Sequence, residues 1–213
     1  MTRGRLIALE GARGPSVTAA ADELFHRAVD EVQPGRISQW DASGIFRELR
    51  WSDPGTPKPS PRTLVLLYAA DLAFRLRREI LPALEEGRCV VAAPYVQSAV
   101  AFGTAAGLPR RWLVDLFGFA PEPPECYRLR ELCGQTECAC KPSEGYLEFC
   151  CEVLGPESRV WDSENLRRRF AEYFDLLERE RSCQTLVLPE SGRSAAGGQL
   201  IEVLAQLPDR GRV

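Results

Sequence analysis

Short apolar runs alternate along this chain with longer segments of helical period, and that alternation constrains the fold more than any other feature. Five runs read as strands: residues 5–10, 36–40, 88–93, 126–129 and 185–188. Between them Leu24, Phe25, Ala28, Val29 and Val32 recur at helical spacing, as do Leu64, Leu67, Tyr68, Leu72, Leu76, Ile80 and Leu84. A later helix begins near Asp162 or Ser163, either of which suits a cap, and carries Leu166, Phe170, Tyr173, Phe174 and Leu177 on one face. A last helix covers residues 197–207. Strands separated by helices of this length are joined as parallel neighbours. The expectation is one α/β domain over residues 1–213, with a proline-rich surface loop at 51–62 and an irregular insertion at 133–156.

Composition narrows the partners. Of 213 residues, 45% are hydrophobic and 27% charged, which supports a packed core and excludes a disordered chain. The net charge of -3 offers no basic footprint for nucleic acid or an anionic membrane, so neither is expected as a partner. No run reaches the roughly 18 apolar residues of a membrane span. The first apolar stretch stops at Glu10, too early for a secretory signal, so a cytoplasmic chain with reduced thiols is expected. Only two of the 27 basic residues are lysines, Lys58 and Lys141. Chemistry that needs a lysine has only those two.

The turn after the first strand, EGARGPSVT at 10–18, sits where a nucleotide-binding α/β protein cradles phosphate. Such a loop needs small residues for its backbone N–H groups, a lysine for the outer phosphates and a hydroxyl for magnesium. Set against G-x-x-x-x-G-K-[ST], Gly11 and Thr18 fit, while Ser16 replaces the second glycine and Val17 the lysine. Pro15 removes a further N–H donor.

Several motifs in order resemble the thymidylate kinase family. RLIALEGARG at 5–14 is similar to its first strand and phosphate loop, and YAADLAFRLRREILPALEEGRCVV at 68–91 to its long helix running into the third strand. PYVQSAVAF at 94–102, APEPPECYRL at 120–129 and LVLPESGRSAAGGQLIEVLAQL at 186–207 follow in the family's sequence of elements. The resemblance implies a three-layer α/β/α phosphate-loop fold with a five-stranded parallel sheet, and a homodimer. It also implies a degenerate phosphate loop over Glu10, Gly11, Arg13, Gly14, Ser16, Val17 and Thr18. Ala93 and Pro94 stand where the family has an acceptor-binding Asp-Arg pair, and Leu72 where it has an arginine near the base. The motif after the second strand is reduced to Trp40, Asp41, Ala42, Ser43 and Gly44. As acceptor-site remnants the resemblance leaves Asp41, Tyr68, Asp71, Tyr95 and Ser98.

Six of the eight cysteines fall at Cys126, Cys133, Cys138, Cys140, Cys150 and Cys151. Cys133, Cys138, Cys140 and Cys150 or Cys151 supply enough thiolates for a tetrahedral zinc site. The spacing departs from paired C-x2-C, and small apolar packing is the competing explanation. His26, the only histidine, has no nucleophile near it in sequence. Arg75, Arg77 and Arg78, Arg110 and Arg111, and Arg167, Arg168 and Arg169 form either a phosphate-binding strip or solvated helix faces with ion pairs to acidic neighbours.

Phosphoryl transfer depends on positioning and charge stabilisation, and the matched cations are missing. The expected function is therefore a pseudokinase that binds a nucleotide, another ligand or a protein partner. The alternatives are a divergent kinase acting on a dTMP-type acceptor with ATP and magnesium, using Arg13, Arg159 or Arg167 to Arg169, and a zinc-stabilised interaction module.

Overall fold

A strand covered on both faces reads as an unbroken apolar run, and β1 (Arg5–Gly11) is buried over residues 6–10. The computed structural model of the chain describes residues 4–11, 35–50, 58–131, 149–150 and 163–188. In it β1 lies at the centre of a five-stranded sheet of order β2-β3-β1-β4-β5. β2 (Gly35–Gln39), β3 (Cys89–Ala93), β4 (Glu125–Glu131) and β5 (Gln184–Leu188) all run parallel to their neighbours. Each strand lies where the sequence puts it, with ends shifted by one or two residues.

Six α-helical segments are described: α1 (Ile45–Arg50), α2 (Pro61–Arg75), α3 (Leu81–Glu85), α4 (Val96–Ala105), α5 (Arg110–Leu116) and α6 (Ser163–Arg179). The proline-rich loop ends earlier than its composition suggests. Ser60 caps α2 by accepting the Thr63 N–H at 3.1 Å, and Pro61 takes the first helical position, where its missing N–H costs nothing. The periodic segment 64–84 is helical throughout, but between α2 and α3 it relaxes into a π-helical turn (Leu76–Ile80). Pro82 accounts for the interruption, because it has no N–H to donate and crowds the carbonyl four residues back.

α6 fulfils its pattern: Leu166, Phe170, Tyr173, Phe174 and Leu177 are all buried. They form one cluster with side chains from α2 and α4 and with Leu6, Ala8, Val90 and Ala92 of the sheet. Ile7, Leu9 and Val91, on the opposite face, are buried as well, so both sheet faces are covered. The expected helices around 24–32 and 197–207, His26 and the insertion other than 149–150 lie outside the described residues.

The strand order fixes where a ligand crevice belongs. β1 leads to β2 past β3, whereas β3 leads to β4 past β1, so the connections of two adjacent strands depart in opposite directions. In open parallel sheets ligands bind beyond the carboxyl ends of the strands at such a switch point.

Candidate functional site

Glu10 and Gly11 end β1 at that switch point, and residues 93–98 leave β3 beside them. Glu10 is fully buried. Its Oε2 accepts the Tyr95 and Ser98 N–H groups at 3.2 and 3.0 Å and the Ser98 hydroxyl at 2.6 Å, while Oε1 accepts the Gln97 N–H at 2.9 Å. The carboxylate thus satisfies the donors at the start of α4, where a helix favours negative charge. Burial pushes the Glu10 pKa above its ordinary value, partly opposed by these hydrogen bonds. Ser98 Oγ also accepts the Gly11 N–H at 3.4 Å. Tyr95 donates its hydroxyl to the Pro121 carbonyl at 2.9 Å, and Tyr68 donates its own to the Tyr95 carbonyl. The Tyr68 ring lies edge-on to Phe117, fully inside the core.

A second cluster is built from the turn after β2. Asp71, on α2, accepts the Asp41 N–H at 3.0 Å, the Ser43 N–H at 2.9 Å and the Ser43 hydroxyl at 2.7 Å. Asp41, with φ of 58°, in turn accepts the Phe46 and Arg47 N–H groups at the start of α1, at 2.8 and 3.1 Å. One carboxylate therefore pins the turn to α2 and the next caps the helix that follows. Burial pushes the Asp41 pKa up.

Among the described residues, the positions where the family resemblance calls for charge are apolar and enclosed: Leu72 is 0% exposed, and Ala93 and Pro94 are buried. The sequence did not single out Arg75 as an inward-facing residue. It is fully buried, donating from Nε to Ser38 Oγ at 3.0 Å and from Nη2 to the Ser38 carbonyl at 2.7 Å. Ser38 donates its own hydroxyl to Glu79 Oε2 at 2.7 Å. Among the described residues Arg75 Nη1 has no hydrogen-bond partner. The signal was present, since Arg75 is in helical phase with Leu64, Tyr68 and Asp71 on the buried face.

The structure thus gathers Glu10, Gly11, Tyr68, Tyr95 and Ser98 at the crevice and Asp41 with Asp71 at the neighbouring turn. Arg13, Gly14, Ser16, Val17 and Thr18 lie outside the described residues, as do Cys133, Cys138 and Cys140. Cys150 is fully buried in the apolar core beside Phe149, whose ring packs on Trp40 and Phe46. Among the described residues no three His, Cys, Asp or Glu side chains converge as metal ligands. Among the described residues the arginines do not assemble into a strip: Arg75 points inward while Arg77 and Arg78 are exposed. Arg111 pairs with Asp115 and Arg168 with Glu172 along their own helices, and Arg110 reaches Glu180. These are the ion-paired helix faces of the plainer reading.

No protein-family model matches the chain. It is 32% identical over 127 residues to a probable thymidylate kinase of Pyrococcus abyssi and 45% identical over 127 residues to one of Pyrococcus horikoshii. Each match covers 57% of this chain and 62% of the relative, so the chain spans less than two thirds of these relatives' length. Over 97% of its length it is 29% identical to a thymidylate kinase of Desulfosudis oleivorans, 99% of which is covered. A solved thymidylate kinase of Ehrlichia chaffeensis superimposes with a TM-score of 0.68 at 13% identity, covering 95% of this chain and 99% of that one, a likeness of fold. The parallel sheet agrees with this likeness, and the chain is similar to thymidylate kinases in sequence and in fold.

Proposed function

We propose that this chain is a thymidylate-kinase-like pseudoenzyme, a single domain with a cysteine-rich insertion that keeps the fold and has lost phosphoryl transfer. It acts by binding a ligand or partner in the cytoplasm. The observation that carries the reading is the replacement of the family's charged residues by apolar ones: Val17 for the loop lysine, Leu72 for the arginine near the base, and Ala93 and Pro94 for the acceptor-binding Asp-Arg pair. The transferring phosphoryl group carries its charge on oxygens that protein cations and magnesium must stabilise. Losing one such contact typically costs about 10²–10³ in rate, and this chain lacks several.

The crevice supports the same reading. The N–H donors at the start of α4, which suit an anion, are already taken by Glu10. Of the arginines that offer a substitute charge, Arg168 is held by Glu172 and Asn165, and Arg169 reaches the Ala105 carbonyl. The binding partner we assign is a second copy of the chain, docking on the outward face of α2.

The test is ADP release from ATP and magnesium with dTMP and other nucleoside monophosphates as acceptors. The expected result is release at the level of the protein-free control. Turnover near the ~1–100 per second of ordinary kinases would overturn the reading and favour the divergent kinase. A thermal shift with ATP and magnesium separately reports whether nucleotide binding has survived the loss of chemistry.

A further inference from the structure

Cys126 and Cys183 stand 57 positions apart in sequence, yet the sheet sets them face to face. β4 and β5 pair in parallel with Tyr127 opposite Gln184, so the residues one step earlier also lie opposite each other. Their Sγ atoms are 2.9 Å apart, and both are free thiols. Adjacent strands run about 4.8 Å apart, within the roughly 4.4–6.8 Å between Cα atoms that a disulfide bridges. A covalent link here requires little more than side-chain rotation. Cys183 is 3% exposed and Cys126 half-buried, so a small oxidant meets Cys126 first.

We propose that Cys126 and Cys183 form a dithiol–disulfide redox site, with Cys126 as the attacking and Cys183 as the resolving thiol. The oxidant is a hydroperoxide. The Cys126 thiolate attacks a peroxide oxygen, the O–O bond breaks, and the departing hydroxide takes up a proton to leave as water. Cys126 is then a sulfenic acid. The Cys183 thiolate attacks the Cys126 sulfur, the S–S bond forms, and the S–O bond breaks to release a second water after protonation. In sum, two thiols and one hydrogen peroxide give one disulfide and two waters. The contact with Cys183 and burial both hold the proton on Cys126, so closure is slow beside that of an activated thiol.

The site lies at the amino-terminal ends of β4 and β5, opposite the crevice, so its chemistry is independent of phosphoryl transfer. It joins the two ends of the excursion from β4 through the 133–156 insertion and α6. Closing that ring restricts the unfolded chain and should raise Tm by roughly 5–15 °C.

The full chain, reduced and freed of reductant, is treated with excess hydrogen peroxide, alkylated, digested without reduction and mapped by mass spectrometry. The expected result is a peptide pair linked through Cys126 and Cys183, absent in C126S and C183S and released by dithiothreitol. The Tm rise should accompany it in the unsubstituted chain and vanish in C126S. If C183S fails to fold, C126A at the half-buried position serves the same comparison. Recovery of both residues as separate alkylated or over-oxidised peptides, or linkage of either one to another cysteine instead, would overturn the proposal.

Discussion

A buried carboxylate facing only donors is the defining feature of this site at the scale of single residues. Glu10 has exchanged water for three backbone N–H groups and one hydroxyl, and burial still leaves its folded pKa above the ordinary value of 4.5. The sign of the pH effect follows. Between 4.5 and the raised value the folded state holds more protons than the unfolded state, so Glu10 favours folding most at low pH, and that contribution is lost as pH rises through the folded pKa. Glu10→Gln removes this titration and turns an amide NH2 towards donors, leaving at least one buried N–H unmet at a cost of about 1–3 kcal/mol. Urea unfolding from pH 4.5 to 7 should show the variant less stable, with the gap to the parent narrowing as pH rises. A gap that widens with pH would contradict the assignment of a raised pKa to Glu10.

At the scale of elements, Asp71 sets the angle between the end of β2 and α2. Asp71→Ala strips the acceptor from two backbone N–H groups and the Ser43 hydroxyl, where the chain already adopts positive φ at Asp41. A loss of about 2–3 kcal/mol in chemical unfolding is expected, and a change under 0.5 kcal/mol would show that the turn holds its shape unaided. The strands and α6 were legible because their periods are strong: a continuous apolar run for β1, and five apolar residues at helical spacing for α6. α4 gave no comparable signal, because Ser98, Ala99, Val100, Ala101, Phe102, Gly103 and Ala105 are all buried, and a helix enclosed on most sides loses its amphipathic period. The site was legible only as residue types. Sequence shows Glu10 and Asp71 as surviving acids of a family pattern, but which donors they meet depends on contacts 28 to 88 positions away. The π-helical turn follows from Pro82, although the proline alone does not say whether a helix breaks, kinks or widens.

For the whole molecule, the proposed pairing rests on the outward side of α2. Leu66, Ala70, Ala73, Phe74 and Leu81 are exposed and recur at the spacing of one helical face. Phe119 borders a groove of about 360 Å³ lined by Ala73, Leu76, Arg77, Leu81, Pro82 and Glu85. Leu66, Phe74, Leu81 and Phe119 each remain 42–48% exposed, an apolar stripe that a monomer leaves in water. A two-fold pairing across α2 would cover the stripe with itself. The expected state is a dimer by sedimentation equilibrium. Because each position occurs twice in such an interface, Phe74→Arg removes two aromatic contacts at about 1.5 kcal/mol or more apiece, which weakens association by on the order of 10²-fold. The variant should keep its thermal unfolding transition when compared as a monomer, since Phe74 lies outside the core cluster. A parent chain that sediments as a monomer at all concentrations would remove the second copy as the partner and leave the stripe to a different protein.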